Sequence, residues 1–353
     1  MSRFLLARDR FEAARRLHRL PPQAPEHGLH GHGFEACVQV PHAHADAAYA
    51  DALPRLRERL ALAMSPLRHV DLNRVLEHPD DAALAAWLCE RVGDVAHLEL
   101  HSTPTRGVAG QPRAGFATLR RYRFQAAHFL PNVPAGHKCG RMHGHGFEVE
   151  LRADATDAGV LDAHWQSLAE RLDHTLLNDV EGLANPTSEM LAAWIHERLR
   201  PKLPTLRSVS VFETGSSGAR YDGDAFLIWK EFGLDSAVRV RRAAPGSPQA
   251  RLHGQTFRLR LSLSAPLHEV LGWVVDFGDV KTLFRPLFER LDHQPLYEIE
   301  GLADTDTASL AAWILEACRA QLPQLCGVRL LEADGCGAEM LLDGAPRQAA
   351  PAP

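Results

Sequence analysis

The sequence predicts an α+β protein in which one structural unit is repeated three times in tandem. The tetrapeptide Leu-Ala-Ala-Trp recurs at Leu84–Trp87, Leu191–Trp194 and Leu310–Trp313. A His-Gly pair heads an alternating polar and apolar stretch that begins at His30, at His143 and at His253. Both signals return in the same order every 107–119 residues. Because ordered self-similarity at this spacing indicates repeated units, we place three units at residues 1–112, 113–223 and 224–346, followed by a tail at 347–353.

The elements of each unit follow the order β-β-α-α-β-β. In unit two, alternation and helical periodicity predict strands over 118–130, 145–153 and 208–214, helices over 164–177 and 187–199, and a short fourth strand. Such a unit forms a four-stranded antiparallel sheet with two helices on one face. Its open edges would invite pairing with a neighbour. Three units in one chain are therefore expected to join edge to edge as a pseudo-trimeric β-barrel with the helices outside.

Composition excludes several classes of protein. The 353 residues are 45% hydrophobic and 24% charged, which is ordinary for a globular protein and argues against disorder of the whole chain. The net charge of -5 gives no reason to expect nucleic acid or an anionic membrane as a partner. No apolar run reaches the roughly 18–20 residues that span a bilayer, and charged residues interrupt the start of the chain. With no Cys-x-x-Cys pair among six cysteines, we expect a cytoplasmic protein.

Three histidines of unit two form a candidate metal site. His143 and His145 are two residues apart on one strand, so their side chains project from the same face. His128 ends the preceding strand, and antiparallel pairing would place it opposite them. Three imidazoles with an open fourth position are the usual pattern for catalytic zinc. The alternative is a turn that exposes His143 and His145 without binding a metal.

A single thiol lies close to this candidate site. Cys139 stands four residues before His143, near Lys138 and Arg141. A neighbouring dication and these basic residues are expected to lower the pKa of the thiol, which could then act as a base or as a nucleophile. The alternative is that Cys139 is a fourth zinc ligand in a closed structural site.

Two Asp-His pairs and one glutamate also have the chemistry of an active site. Asp173 and His174 end the first predicted helix of unit two, and Asp292 and His293 repeat the dipeptide in unit three. A carboxylate beside an imidazole can orient it and support proton transfer. Glu213 ends a strand in line with apolar neighbours, where a buried carboxylate needs a partner. It could pair in bidentate fashion with the N–H groups of a guanidine-like heterocycle, or it could simply face solvent.

Together these motifs resemble the 6-pyruvoyltetrahydropterin synthase family. The resemblance rests on Phe-Gln-Ala-Ala-His, Cys-Gly-Arg-Met-His-Gly-His, Leu-Asp-His-Thr-Leu-Leu-Asn, Asn-Pro-Thr-Ser-Glu and Phe-Glu-Thr, in that order. The spacing from Cys139 to His143 is similar to that of the bacterial branch, 6-carboxytetrahydropterin synthase. The resemblance implies a tunnelling fold (T-fold), in which three subunits build a twelve-stranded barrel and two barrels commonly stack.

The resemblance also implies roles for individual residues. It implies that Zn²⁺ binds the three histidines, that Cys139 is the catalytic base, and that an Asp-His pair completes a triad between subunits. It further implies that Glu213 anchors a pterin ring, which Thr187 and Ser188 help to hold. The implied substrate is 7,8-dihydroneopterin triphosphate. The bacterial branch converts it to 6-carboxy-5,6,7,8-tetrahydropterin, on the route to 7-deazaguanine and queuosine.

Units one and three depart from this pattern. In unit one, His30 and His32 remain, with His18 as an alternative third ligand, and the positions of His128, Cys139, Asp173 and Glu213 are taken by Arg15, Glu26, Arg68 and Ser102. In unit three, Ser236, Gln249 and Gln255 are assigned to the positions of His128, Cys139 and His145. Unit three keeps Asp292, His293 and Glu332, the last as a further candidate for pterin binding. We therefore expect one complete active site in each chain.

The retained Asp-His pair of unit three suggests how that site is completed. We hypothesise that Asp292 and His293 serve Cys139 within the same chain, with Asp173 and His174 as the rival donors. The expected partner is a small pterin, and the expected assembly is a pseudo-trimeric monomer or a homodimer that mimics the family hexamer. Three alternatives stay open: a 6-pyruvoyltetrahydropterin synthase-type lyase, a non-catalytic pterin-binding protein, and a structural zinc protein.

Overall fold

The computed structural model describes residues 1–42, 49–154, 156 and 158–345, and the predicted tail at 347–353 lies outside them. Unit one contains β1 (Ser2–Arg15), β2 (His30–Pro41), α1 (Tyr49–Met64), α2 (Asp81–Val92), β3 (His97–Thr103) and β4 (Arg106–Gln111). Unit two contains β5 (Gly115–His128), β6 (His143–Asp154), α3 (Ala158–Leu172), β7 (Thr175–Leu176), α4 (Ser188–Leu199), β8 (Leu206–Thr214) and β9 (Ser217–Tyr221). Unit three contains β10 (Phe226–Val238), β11 (His253–Leu263), α5 (Phe277–Leu291), α6 (Thr307–Arg319), β12 (Leu325–Glu332) and β13 (Gly337–Leu341).

Twelve of these strands form one closed antiparallel barrel. Each unit supplies four neighbouring strands, and the units join where β4 pairs with β5, β9 with β10, and β13 with β1. The short β7 adds to β5 in parallel, outside the ring. The predicted α+β class, the β-β-α-α-β-β order and the pseudo-trimeric barrel are thereby confirmed. The predicted unit boundaries after residues 112 and 223 fall in the turns that follow β4 and β9.

Strand alternation gives the barrel an apolar outer face and a charged inner face. In β6, Phe147, Val149 and Leu151 share one face and belong to a core that includes Trp165 and Leu168 of α3. The residues between them are charged, and because the helices cover the outer face, these charges point into the barrel. None of the described helices is both long enough and apolar enough to cross a membrane.

Ion pairs inside the barrel connect neighbouring units. Glu150 accepts from Arg121 at 2.7 Å and from Arg152 at 2.8 Å, while Arg152 also reaches Glu99 of unit one at 2.7 Å. All four side chains are buried. Removing one member of such a network leaves charge in a medium that solvates it poorly, which is more costly than losing an exposed pair.

We expect Glu150→Ala to lower the free energy of unfolding by about 3–5 kcal/mol, because Arg121 and Arg152 both lose a buried partner. The matched control is Glu148→Ala on the same strand, whose partner Arg123 is exposed and whose loss is expected to cost no more than about 1 kcal/mol. Urea unfolding of both variants measures the difference. Equal costs would show that burial does not determine the strength of these pairs.

The first helix of unit two differs from the prediction over 164–177. The helix spans Ala158–Leu172 and ends before Asp173. His174 then adopts a left-handed backbone with φ of 57°, and its N–H donates to the carbonyl oxygen of Gln125 at 2.6 Å. His69 and His293 have the same backbone at the equivalent points of the other units. The helix ends there because the chain turns to bond with β5, a contact between distant residues that helical periodicity does not reveal.

Candidate active site

Strand register brings three histidines of unit two together. His128 of β5 pairs directly with His143 of β6, and His145 lies two residues further along the same face. Ring centroids are 4.4 Å apart for His128 and His143 and 5.1 Å apart for His143 and His145. Glu213 completes a group whose potential ligand atoms all lie within 4.8 Å of one another. This is the arrangement that a bound metal ion requires.

Hydrogen bonds orient two of the imidazole rings for metal binding. The Nδ1 atom of His128 lies 3.0 Å from the carbonyl oxygen of Pro186, and that of His143 lies 2.7 Å from the carbonyl oxygen of Arg141. Each Nδ1–H can donate there, which leaves Nε2 with a free lone pair. The Nε2 atom of His128 is buried and has no hydrogen-bond partner among the described residues. Burial also lowers the pKa of His128, which favours the neutral, ligating form.

The donor set fits a borderline-soft dication such as Zn²⁺. Three imidazole nitrogens with a nearby carboxylate are typical ligands for that ion, whereas calcium and magnesium prefer oxygen donors alone. The orphaned Nε2 atom of His128 would gain a partner when a metal binds. The residues present are therefore suited to hold the implied zinc.

Glu213 is more closely associated with the histidines than the sequence indicated. It shares the outer face of β8 with Val209 and Val211, as its alternation predicted. One carboxylate oxygen lies 3.2 Å from Nε2 of His145, and the other accepts from Ser188 Oγ at 2.8 Å. Burial alone would raise the pKa of Glu213, but the close approach of the His145 imidazole and the hydrogen bond from Ser188 lower that pKa to about 2. The ionised group can ligate a metal or accept N–H donors from a bound heterocycle.

Cys139 faces the same cavity, which has a volume of about 500 Å³. It lies in a short 3-10 turn at Lys138–Gly140, and its carbonyl oxygen accepts from the N–H of Leu130 at 2.8 Å. Among the described residues, the metal-competent group comprises the three histidines and Glu213, and Cys139 is not a member. This placement favours a reactive thiol over the alternative of a fourth structural ligand.

The protein groups around Cys139 act against a lowered pKa of its thiol. Burial raises the pKa of the thiol, and the carboxylates of Glu213 and Asp276 raise it further, while Lys138 opposes them. The protein groups alone thus favour the neutral thiol, while the lowered pKa predicted for a thiol beside a bound dication stays a prediction. The local sequence around Cys139 shows the basic residues Lys138 and Arg141 but neither carboxylate. A dication held by the histidines would lower the pKa of the Cys139 thiol.

The start of α4 forms another wall of the cavity. Thr187 caps this helix by accepting from the N–H of Met190 at 3.1 Å, and it donates its own hydroxyl proton to the carbonyl oxygen of Gly272 at 2.6 Å. Ser188 donates to Glu213. Both residues line the cavity, but their hydroxyl groups already have protein partners. Their predicted role in holding a pterin ring stays a prediction.

Glu189 is a cavity residue that the sequence reasoning missed. Its side chain is only 2% exposed, and one carboxylate oxygen accepts from the N–H of Val274 at 3.0 Å. Burial raises the pKa of Glu189 to about 7. The motif Asn-Pro-Thr-Ser-Glu contains it, yet the first turn of a helix is an ordinary place for glutamate, so nothing local distinguishes it.

Glu189 is expected to make stability depend on pH in metal-free protein. Its pKa rises from an ordinary 4.5 to about 7 on folding, so its contribution is complete below pH 4.5 and is lost as pH rises through 7. Glu189→Gln cannot ionise, and we expect it to gain up to about 3 kcal/mol relative to wild type between pH 5 and pH 8. Urea unfolding in chelator at both pH values tests this. The exposed Glu197 supplies the control Glu197→Gln, and a parallel pH dependence of wild type and Glu189→Gln would refute the assignment.

The two Asp-His pairs have exposed imidazoles beside β5 and β10. Asp173 accepts from the N–H of Gln125 at 2.7 Å and lies 2.9 Å from Nδ1 of His174, whose side chain is 78% exposed. Asp292 and His293 repeat this arrangement beside β10, with 76% of the His293 side chain exposed. Among the described residues that line the cavity of Cys139, none belongs to either pair. The chain by itself therefore gives no support to the hypothesis that Asp292 and His293 reach Cys139 within one molecule.

The equivalent pocket of unit one contains an ion pair instead of a metal-binding group. Arg15 stands opposite His30 in the register that places His128 opposite His143, as the sequence indicated. The Arg15 guanidinium lies 2.7 Å from Asp81, which begins α2 where Ser188 begins α4. Ser102 donates to the same carboxylate at 2.7 Å. In the described part of the chain the metal-competent group is confined to unit two, so His18 completes none in unit one.

Unit three has also lost the metal-binding pattern. Val238 stands opposite His253, and it therefore occupies the position of His128, whereas the assignment of Ser236 was wrong by two residues. Ser236 pairs with Gln255 and donates to the carbonyl oxygen of Leu291 at 2.7 Å. Glu332, the predicted counterpart of Glu213, accepts from Arg57 of unit one at 2.6 Å.

The three pockets share one plan, since each lies between a unit and the next. Strands and turns of unit two form most of the cavity that contains Cys139, and the segment before α5 of unit three completes its wall. Unit two likewise borders the pocket of Arg15 with Phe116 and Thr118, and unit one borders the pocket of Glu332 with Leu53 and Arg57. Of the three, the pocket between units two and three has the metal-competent group.

Comparison with known proteins agrees with this architecture. The family model described as 6-pyruvoyl tetrahydropterin synthase matches residues 118–224 and again residues 227–342, which together exceed half of the chain. A 6-carboxy-5,6,7,8-tetrahydropterin synthase from Synechocystis is 42% identical over 117 residues, covering 29% of this chain and 89% of that protein. The enzyme of the same description from Bacillus subtilis is 34% identical over 106 residues, covering 26% of this chain and 71% of that protein.

Solved structures of the family also resemble one portion of the chain. A 6-pyruvoyl tetrahydropterin synthase from Caenorhabditis elegans is 16% identical, covers 32% of this chain and 92% of that chain, and has a TM-score of 0.29. Membership does not rest on this structural likeness. It rests on the two matches to the family model, each of which spans one β-β-α-α-β-β unit. The chain belongs to the 6-pyruvoyl tetrahydropterin synthase family, as a tandem array of its units with the T-fold.

Proposed function

We propose that the chain is a zinc-dependent lyase that converts 7,8-dihydroneopterin triphosphate to 6-carboxy-5,6,7,8-tetrahydropterin. The observation that carries this proposal is the single cavity in which Cys139 meets the three histidines and Glu213. The relatives from Synechocystis and Bacillus subtilis, whose names give this activity, support the choice of product. A cytoplasmic location and a place in 7-deazaguanine and queuosine synthesis belong to the same proposal.

His128, His143 and His145 would hold the zinc ion, which supplies Lewis-acid chemistry to oxygen atoms of the substrate side chain when it is bound. The thiolate of Cys139 would accept a proton from the substrate carbon beside those oxygens and become the neutral thiol. Because protein carboxylates raise the pKa of Cys139, positive charge in the site is needed for this role. Lys138 on the same turn contributes part of that charge.

Glu213 would recognise the heterocycle. Its low pKa keeps it ionised at neutral pH, and a carboxylate can accept two parallel N–H bonds from the guanidine-like edge of a pterin. Ser188 fixes one oxygen of this carboxylate, so its orientation is set before substrate arrives. Lys138, Arg141 and Lys230 line the same cavity and match the charge of a triphosphate.

The role of the Asp-His pairs is a separate part of the proposal. Neither pair lines the cavity of Cys139 and both imidazoles are exposed, so we propose that a second copy of the chain supplies the proton shuttle, in line with the expected homodimer. We expect one of the double variants Asp292→Ala/His293→Ala and Asp173→Ala/His174→Ala to lose turnover. Wild-type turnover in both would exclude a shuttle by either pair.

The product identifies the reaction. Zinc-loaded protein is incubated with 7,8-dihydroneopterin triphosphate, and the pterin products and acetaldehyde are identified by chromatography and mass spectrometry. We expect 6-carboxy-5,6,7,8-tetrahydropterin with release of acetaldehyde and triphosphate. A 6-pyruvoyl product would instead assign the activity of the alternative lyase. Tight pterin binding without turnover, with or without Cys139, would favour the non-catalytic binding protein.

A further inference from the structure

A segment of unit three is bonded along its length to unit two. Residues 270–276, which we call the strap, precede α5. The carbonyl oxygens of the first three residues accept in turn from Asn132 at 2.8 Å, from Asn185 at 2.8 Å and from Thr187 at 2.6 Å. The N–H of Val274 then donates to Glu189 at 3.0 Å. Four side chains of unit two therefore satisfy four backbone groups of the strap.

The strap has no counterpart of similar length in unit two. Residues 264–276 connect β11 to α5, whereas only residues 155–157 lie between β6 and α3. Gly272 allows the close contact, since its φ is 69° and a Cβ there would lie 2.9 Å from Nδ2 of Asn185. Trp273, Val275 and Asp276 form part of the wall of the cavity that contains Cys139.

The last residue of the strap connects it to the thiol turn. One oxygen of Asp276 caps α5 by accepting from the N–H groups of Gly278 at 2.6 Å and Asp279 at 3.1 Å. The other oxygen lies 3.5 Å from Nε2 of His137. The opposite ring nitrogen of His137, Nδ1, accepts from the N–H of Cys139 at 3.2 Å. A continuous series of polar contacts thus runs from the start of α5 to the backbone of the cysteine.

This series of contacts favours one tautomer of His137 and holds its imidazole ring in position. Because Nδ1 of His137 accepts a hydrogen bond, its ring proton lies on Nε2, where the carboxylate of Asp276 favours it. The ring also packs near Trp273, with centroids 6.0 Å apart. Rigid support of this kind is what holds a reactive group within a fraction of an ångström of its working position.

We propose that Asp276 and His137 are positioning residues, through which unit three holds the Cys139 thiol of unit two in place. This inference rests on the proposed function, since it assigns Cys139 the reactive role. Under this proposal the active site is built by two units. Unit two supplies the metal ligands and the thiol, and unit three supplies the residues that support the thiol turn. It also gives a role to the long strap of unit three, a unit that lacks the metal-competent group among the described residues.

The first test compares Asp276→Asn and His137→Gln with Asp306→Asn. Asp306 caps α6 of unit three by accepting from the N–H groups of Ala308 and Ser309, so the control changes a similar cap without a link to Cys139. We expect both test variants to lower kcat about ten- to a hundredfold, with KM and zinc content near wild type. The double variant should lose no more than the worse single variant, because the two residues act through one contact. A kcat within about twofold of wild type in both single variants, with melting temperatures lowered as in the control, would reduce Asp276 to a helix cap.

The second test does not depend on turnover. The alkylation rate of Cys139 by iodoacetamide, followed by mass spectrometry of its peptide, reports how firmly the turn is held. We expect a rise of about threefold or more in both Asp276→Asn and His137→Gln, and none in Asp306→Asn. A rise in Asp276→Asn alone would reflect the lost charge beside the thiol and would overturn the link through His137. If wild type proves inactive while both alkylation rates rise, the proposed function fails and the positioning contact stands.

Discussion

His143→Ala is expected to abolish zinc binding, while the same change at the matched position of unit one, His30→Ala, leaves it intact. His143 supplies one of three imidazoles in a group whose ligand atoms lie within 4.8 Å of one another. His30 has the same sequence context and the same strand register, but it stands opposite Arg15, which is held by Asp81. A guanidinium cannot ligate a cation, and its charge repels one.

The measurement is the metal content of purified protein after equilibration with zinc and passage over a desalting column. We expect about one zinc per chain in wild type and in His30→Ala, and below about 0.2 in His143→Ala, because a site with two imidazoles holds the ion weakly. Circular dichroism confirms that each variant is folded. A content of two or three ions per wild-type chain, or equal retention by both variants, would show that the metal is bound elsewhere.

Cys139→Ala is expected to lower the turnover of 7,8-dihydroneopterin triphosphate by about 10²–10⁴-fold, the range in which a positioned acid–base group contributes. The thiol shares its cavity with the histidines and Glu213 but is not a member of the metal-competent group in the described chain. Zinc content should therefore stay at the wild-type value. Lost turnover with unchanged zinc content distinguishes a catalytic thiol from a structural metal ligand.

The matched control for Cys139→Ala is Gln249→Ala. Gln249 occupies the equivalent turn of unit three, where its carbonyl oxygen accepts from the N–H of Val240 as that of Cys139 accepts from Leu130. Product formation is followed under substrate saturation for both variants. Turnover of Cys139→Ala within about threefold of wild type would remove the thiol from the mechanism, whereas joint loss of activity and zinc would restore it as a ligand.

The parts of this structure that local patterns encode were predictable from the sequence. Alternation along β6 and helical periodicity along α4 predicted both elements, and the repeated Leu-Ala-Ala-Trp predicted three equivalent units. The histidine cluster followed from the same logic, since residues two apart on a strand share a face and an antiparallel neighbour lies opposite. Closure of the barrel followed from the need to pair open sheet edges.

Features that depend on contacts between units could not be read in the same way. The pKa of Cys139 is raised partly by Asp276, which lies 137 positions further along the chain and in another unit. Glu189 appears as an ordinary helix-start glutamate until the strap covers it. The Asp-His pairs were predicted to serve Cys139, but they bond to the backbone of β5 and β10, and neither pair lines the cavity of Cys139. Local sequence gives no measure of such distances.

The placement of each pocket between two units has a consequence for how such a protein can change over time. In a ring of identical subunits, every mutation appears in all sites at once, so no site can drift alone. A single gene that encodes all three units removes this constraint. Arg15 can stand in place of a ligand at one interface and Arg57 can neutralise a carboxylate at another, while the interface of units two and three has the metal-competent group. In a fused chain, two of the three equivalent pockets can therefore lose catalytic residues and gain ion pairs that support the structure.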